Sequence, residues 1–361
     1  MKATTIIAEI GVNHDGSVKL AKNLIDIASA SGADAVKFQC FKAKDLVLPS
    51  VECADYQKQE VEKEARQFDM LASLELSTAE FRELAEYARS QNLEFITTCF
   101  DPSFLEEVEA SINPARYKIG SGDLDNLSLL VEHARIGKPI ILSTGIASLS
   151  DIELALSALH FGYTQPAGVP IGKADLIKRN FSAEALVYLK SRVTLLHCVS
   201  SYPAPADSLA LPAIKTLKSC FGLDVGYSDH SLGEAAACAA VALGAMCVEK
   251  HITYDSTADG PDHSASLEPN QFASFVKSLR FVEAATASNI KAPQEVEADV
   301  MTAARRSLVA AAAIREGELL SPNNLVLRRA GGLGVPAADY FDYIGRAASR
   351  DYVEGELLDN A

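Results

Sequence analysis

Ala35-Val36-Lys37-Phe38-Gln39 is the run on which the reading of the fold turns. In extended backbone successive side chains point to opposite faces. Val36 and Phe38 therefore share one apolar face, suited to covering helices, and Lys37 and Gln39 share the other. Seven similar short apolar runs lie at 5–9, 94–98, 116–119, 139–143, 193–198, 223–228 and 246–251. Amphipathic segments at 19–31, 78–91 and 150–159 alternate with them. Strand–helix alternation predicts a parallel sheet, and eight such units predict a closed α/β barrel of the (β/α)₈, or TIM, type. A doubly wound dinucleotide fold would usually show GxGxxG after the first strand, and none follows here.

The 361 residues exceed one such barrel of about 250 residues and leave room for a small appendage. A helix at 269–286 closes the barrel domain, taken as residues 1–288. A polar stretch at 289–303 is expected to be a linker. Residues 304–361, with turn signals at Gly317, 322–324 and 331–334, are expected to form a second, small domain. Between the fifth and sixth strands, residues 160–182 carry Gly162, Pro166, Gly168, Pro170 and Gly172 and are expected to form an extended surface loop.

Composition narrows the function. Apolar residues make up 48% of the chain, enough for a large core. No run approaches the roughly 18 consecutive apolar residues of a membrane span. The first apolar run is broken at Glu9, unlike a signal or transit peptide. Seven cysteines, three of them (Cys99, Cys198, Cys247) inside apolar runs and none at zinc-site spacing, suggest buried reduced thiols and a cytoplasmic location. A net charge of −15 argues against nucleic-acid or anionic-membrane partners. An anionic substrate would then need a local cationic pocket.

The predicted strand ends supply one. In a TIM barrel the chemistry sits at the C-terminal ends of the strands. Here those ends carry Glu9, Lys37 with Gln39, Thr98, Lys118 with Ser121 and Asp123, Ser143, His197 with Ser200, Ser228 with His230, and Glu249 with His251. A lysine inside a barrel is costly unless it meets an anion. That anion is either a carboxylate such as Glu9 or Glu249, or a bound phosphate. Two lysines, several hydroxyls and the glycines Gly120 and Gly122 favour phosphate, although no Walker motif is present. His230 and His251 end neighbouring strands and form a candidate metal pair, with coordination positions left for substrate oxygen and water. Glu9, Asp123 and Asp262 are candidate acids for sugar hydroxyls or for water activation. The ordinary reading of His197 is a hydrogen-bonded core histidine, and His14 and His263 have no assigned role.

Several segments together resemble one family. They are Ala8-Glu9-Ile10-Gly11-Val12-Asn13-His14-Asp15-Gly16-Ser17, residues 32–39, 117–122, 137–145 and 226–230, Glu249-Lys250-His251, and Gly260-Pro261-Asp262-His263. With Arg305-Arg306-Ser307-Leu308-Val309-Ala310 opening the C-terminal part, the chain resembles the sialic acid synthases. That group includes N-acetylneuraminate, legionaminic acid and pseudaminic acid synthases and ends in an antifreeze-like (SAF) domain. The resemblance implies a metal-dependent enzyme that condenses phosphoenolpyruvate with an N-acetylated hexose. It implies His230 and His251 as ligands of Mn²⁺, or of Mg²⁺ or Co²⁺. It places Lys37, Thr98, Lys118, Ser121, Ser143 and Ser228 around phosphoenolpyruvate, and Glu9, Tyr202 and Asp262 around the acceptor. Ser200 stands where some members have Asn, and Asp123 where many have Glu in a role tied to water activation. The implied assembly is a domain-swapped homodimer, with Arg329 (or Arg328, since Arg328-Arg329-Ala330-Gly331 lacks the usual proline) reaching the partner's acceptor. N-acetylmannosamine is the first acceptor suggested and a 2,4-diacetamido-trideoxy hexose the second. A Schiff-base aldolase using Lys118 or Lys37, and a saccharide-binding module, are the other readings of the same residues.

Overall fold

A computed structural model describes residues 3–51, 66–170, 172–179 and 182–359. The strands are β1 (Thr5–Gly11), β2 (Ala35–Cys40), β3 (Glu94–Cys99), β4 (Arg116–Ile119), β5 (Ile140–Ser143), β6 (Val193–Cys198), β7 (Asp224–Asp229) and β8 (Cys247–His251). They pair in chain order into a closed barrel. β1 closes it against β8 in parallel, from Thr5 opposite Cys247 to Glu9 opposite His251. Each observed strand lies within two residues of its expected run.

The alternation works as the sequence suggests. Val36 and Phe38 join the shell between strands and helices. The inner face begins with an apolar layer of Ile7, Ala35, Ile96, Ile141, Leu196 and Cys247. The helices are defined by their ends and stripes. Ser17 caps Val18–Ser31 by accepting from Leu20 N–H, and Gly32 ends that helix in the left-handed region at φ 82°. Its buried residues Ala21, Leu24, Ile25 and Ala28 recur at helical spacing. Capping boxes, Ser77 with Glu80 and Ser148 with Asp151, start Thr78–Ser90 and Leu149–Thr164.

Gly162 corrects the expected loop at 160–182. It lies buried inside the helix Leu149–Thr164, and two more helices follow, Lys173–Arg179 and Ala183–Leu189. A Cβ on Gly162 would sit 2.4 Å from the Val131 carbonyl oxygen. The glycine is there for close approach to the helix Leu127–Arg135, a use that looks like a loop signal in one dimension. Positions 171, 180 and 181 of that stretch lie outside the described residues.

Cys40, Cys99, Cys198 and Cys247 are buried free thiols, whereas Cys220 is exposed and Cys238 half-buried. Cys220 and Cys238 fall on helices rather than on strands. Cys53 lies outside the described residues. Among the described residues no helix is long and apolar enough to cross a membrane.

The chain divides into two compact units, Met1–Ala287 and Ser288–Ala361. In the second, β9 (Arg306–Ala310) pairs antiparallel with β10 (Leu325–Arg329) over a separate core that includes Leu308, Ile314, Val335 and Tyr352. The span expected to be a plain linker holds a helical turn at Glu295–Glu297 and a helix at Ala298–Ala304. The turn is set by a capping box between Gln294 and Glu297, a local signal within a stretch that lacks strand periodicity.

Candidate active site

A cavity of about 380 Å³ opens at the C-terminal ends of the barrel strands. Glu9, Lys37, Thr98 and Lys118 line it from the first four strands and Ser143 from the fifth. Ser121, Ser200 and Tyr202 reach it from the loops after β4 and β6, and Ser228, His230, His251 and Asp262 from the β7–β8 side. The expected barrel residues thus converge, with one exception. Asp123 does not line the cavity. It closes a 3₁₀ turn, Ser121–Asp123, where its carboxylate accepts a long 3.5 Å bond from Asn126 Nδ2, and partial burial raises its pKa. Of the turn's two polar side chains, Ser121 lines the cavity and Asp123 does not. Arg329 lies in the other unit, exposed at the end of β10 opposite Arg306.

The floor of the cavity is a buried charge lattice. Lys37 Nζ lies 2.6 Å from Glu9 Oε2 and 3.9 Å from Glu249 Oε2, and Lys118 Nζ lies 3.0 Å from Glu249 Oε1. Both lysines therefore meet carboxylates, as one of the two readings of the sequence allowed. Gln39 donates to Glu9 Oε1 at 3.1 Å, and Ser228 Oγ donates to Glu249 Oε1 at 2.8 Å. Two cations facing two carboxylates make the set nearly neutral, which is what allows it to exist at 4% exposure or less.

The acids are driven apart. Burial opposes ionisation of Glu249, but Lys118 and Lys37 outweigh it and hold its carboxyl below the usual range. Burial raises Glu9; Lys37 partly offsets this, and Glu249 adds to it. Burial also disfavours the Lys37 ammonium, yet Glu249 and Glu9 together raise its pKa above the ordinary value. Gln39 was read only as a strand-end residue, and Glu249 also as one possible carboxylate partner for a buried lysine. Alternation put them on the inner face, but nothing in one dimension showed that Glu249 bridges two lysines.

His230 and His251 stand with ring centroids 5.9 Å apart. His230 Nδ1 is 2.7 Å from the Val199 carbonyl oxygen, which can only accept, so Nδ1 carries the proton and Nε2 keeps its lone pair. Burial lowers both imidazole pKa values, that of His251 to about 4, so both are neutral at pH 7. His251 Nδ1 and Glu249 Oε2 are buried with no hydrogen-bond partner, and Asp262 Oδ2 lies 3.7 Å from His251 Nδ1. Neutral imidazoles beside unpartnered buried atoms fit a divalent cation. Among the described residues no group of three or more His, Cys, Asp or Glu is placed to hold a metal. A bound ion would keep most of its positions for substrate and water.

The wall beside these groups is shaped by close contacts. A Cβ on Gly145 would come within 2.5 Å of Ser200 Oγ and 2.7 Å of Ser121 Oγ, and Gly145 N–H donates to Ser121 Oγ at 2.9 Å. The Tyr202 ring lies 4.1 Å, centroid to centroid, from that of His230. Val12, Met70, Leu71 and Phe100 supply an apolar side. His197 is a structural histidine, with Nε2 2.7 Å from Leu209 O. His263 bridges Thr253 Oγ1 and Asp15 Oδ1, while His14 is buried with Nε2 unpartnered.

Residues 24–291 match the NeuB family model, and residues 305–361 match the SAF domain. The chain is 40% identical over 360 residues to the N,N'-diacetyllegionaminic acid synthase of Campylobacter jejuni, covering 99% of each. It is 32% identical to human N-acetylneuraminate-9-phosphate synthase, covering 98% of this chain and 92% of that one. A crystal structure of an N-acetylneuraminic acid (sialic acid) synthetase from Leptospira borgpetersenii superposes with a TM-score of 0.66 at 31% identity, covering 83% of this chain and 90% of that one. A (β/α)₈ barrel with its polar residues gathered at the strand ends, followed by a SAF domain, thus belongs to a chain of the NeuB family of sialic-acid-type synthases.

Proposed function

We propose that this enzyme condenses phosphoenolpyruvate and water with an N-acetylated hexose, releasing phosphate and forming a nine-carbon 2-keto sugar acid. The observation that carries the reading is the placement of two buried lysines beneath a rim of hydroxyls and two neutral imidazoles. Lys37 and Lys118 hold the anionic substrate, with Thr98, Ser121, Ser143, Ser200 and Ser228 donating to its oxygens. Glu9 and Asp262 accept from acceptor hydroxyls, and Tyr202 packs beside them. A divalent ion on His230 and His251, Mn²⁺ by family resemblance, would act as a Lewis acid toward the acceptor carbonyl. C3 of the enol attacks the acceptor's aldehyde carbon, water adds at C2, and the C–O bond to phosphate breaks. Burial beneath the cavity mouth strengthens every charge–dipole contact along this path.

For the acceptor, the 2,4-diacetamido-trideoxy hexose takes precedence over N-acetylmannosamine. Two proteins named N,N'-diacetyllegionaminic acid synthase are 40% and 37% identical to this chain, against 32% for the human N-acetylneuraminate-9-phosphate synthase. The apolar side formed by Val12, Met70, Leu71 and Phe100 suits a deoxy methyl and a second acetamido methyl better than hydroxyls. Phosphate release assayed against both acceptors tests this. Higher kcat/KM on N-acetylmannosamine reverses the order, and no release from either overturns the condensation. Bridging-¹⁸O phosphoenolpyruvate must put its label in phosphate; label in the sugar overturns C–O cleavage.

A Schiff-base aldolase is disfavoured, because Lys37 is held as an ammonium by Glu249 and Glu9. Borohydride with pyruvate should trap no adduct. The assembly proposed is a homodimer in which Arg329 of one chain serves the other's acceptor. Mixing an Arg329→Ala chain with a His230→Ala chain should restore activity that neither has alone. No recovery after confirmed subunit exchange, with Arg328→Ala behaving likewise, rules out action in trans.

A further inference from the structure

Lys250 and Asp229 form a buried ion pair that does not line the cavity. Each is 1% exposed, and Lys250 Nζ lies 3.0 Å from Asp229 Oδ2. The same ammonium donates to the Ser231 carbonyl oxygen. Asp229 Oδ1 in turn accepts from Ser231 N–H at 2.9 Å and from Ser231 Oγ at 2.6 Å. Strand alternation explains the location. Glu249 and His251 face the cavity, so Lys250 between them faces the outer side of the barrel wall, and Asp229 is its register partner on β7.

The sequence positions then matter. Asp229 and Ser231 flank His230, and Lys250 precedes His251. His230 lies one residue past the end of β7, outside the strand ladder. Its own contacts include the Val199 carbonyl at Nδ1, Ser228 Oγ 3.3 Å from Nε2, the Tyr202 ring, and a 2.9 Å bond from Ala204 N–H to its carbonyl. The Lys250 ammonium on β8 ties down the turn that carries the ring at two points, the Asp229 carboxylate before it and the Ser231 carbonyl after it. A buried Lys–Asp pair contributes little net stability once desolvation is counted. Its geometric effect is larger, because it fixes residues on both sides of one imidazole to the residue beside the other.

We propose that Lys250 and Asp229 are positioning residues that set the separation and aim of the His230 and His251 imidazoles, and through them the affinity for the divalent ion. This rests on the reading that those two histidines hold the ion. Residues that orient ligands without touching the metal typically change metal affinity by roughly 10–100-fold when replaced.

The test titrates Mn²⁺ alone into metal-stripped full-length protein and reads free ion by electron paramagnetic resonance. Lys250→Met keeps the volume and removes the ammonium, and Asp229→Asn keeps the shape and removes the charge. Each should weaken Mn²⁺ binding by roughly 10–100-fold while retaining the wild-type circular dichroism. The double variant should be no weaker than the poorer single one, because the two act as a unit. Saturating Mn²⁺ should restore most turnover in these variants but not in His230→Ala. A folded Lys250→Met protein with wild-type Mn²⁺ affinity overturns the proposal. If Lys250→Met fails to fold, unchanged affinity in Asp229→Asn overturns it instead. Wild-type affinity in both His230→Ala and His251→Ala would overturn the metal assignment itself, a separate result from failure of the outer pair.

Discussion

Two layers of side chains fill the barrel, two residues apart on the same strands, and their chemistry is opposite. Ile7, Ala35, Ile96, Ile141, Leu196 and Cys247 form the lower one. One strand period further on stand Glu9, Lys37, Thr98, Ser143 and Glu249. The lower layer is sealed by shape: a Cβ on Gly226 would meet Cys247 Sγ at 2.3 Å. The upper layer is held by charge, through Glu249 between Lys37 and Lys118. Each depends on the other. The apolar floor excludes water from below and so strengthens the ion pairs above it, and those pairs let lysines stand where only apolar groups would otherwise be stable.

The sharpest way to break this comparison is in the upper layer. His230→Ala or His251→Ala should reduce turnover to background and weaken Mn²⁺ binding, with far-ultraviolet circular dichroism and Tm little changed. Collapse of the fold instead would mean that the upper layer is structural. Next in size, Ile141→Ala should cost about 2–5 kcal/mol of stability in denaturant melts. Its kcat/KM at a temperature where it stays folded should remain near wild type. A large loss of activity without a loss of stability would erase the division of labour.

Lys118→Met should raise the phosphoenolpyruvate KM by about tenfold or more, since hydrogen bonds to charged groups contribute about 1.5–3 kcal/mol. Unchanged KM and kcat for phosphoenolpyruvate would remove Lys118 from the site. The smallest effect sharpens the comparison from outside the barrel. His133, buried against Tyr117 with its Nδ1 2.9 Å from Leu129 O, has its pKa lowered by burial to about 4. Unfolded, it titrates near 6.5, so below that pH the unfolded chain binds more protons and stability falls until about pH 4. By pH 5.5 the loss is about 1 kcal/mol. His133→Gln should flatten that slope between pH 7 and 5.5. An unaltered slope would assign the acid sensitivity to the cavity imidazoles.

How much of this was legible varied by residue. Lys37 and Lys118 were placed inside by alternation alone, because period two leaves only two faces and their neighbours claim the other. Gly162 misled, since a glycine that admits a neighbouring helix looks the same in sequence as one that bends a loop. Asp123, just past the same strand end as Ser121, is not among the residues that line the cavity. Position after a strand predicts nearness to the mouth, but the 3₁₀ turn at Ser121–Asp123 decides which of its side chains faces in. Residues 289–303 lack apolar periodicity and so read as linker, whereas a capping box sets the helical turn.

The sequence by itself determined the eight-strand count, the inward face of each strand, the gathering of charge at one end and the family resemblance. All of these follow from local periodicity and residue type, which need no knowledge of distant contacts. Only the tertiary structure decided the partners: Glu249 between two lysines, Gln39 on Glu9, Lys250 reaching across to the turn around His230. Lys118 and Glu249 are 131 positions apart in the chain, Lys37 and Glu249 are further apart still, and barrel closure brings them together. The energy of a buried charge depends on what stands within a few ångströms of it, and position along the chain does not specify that.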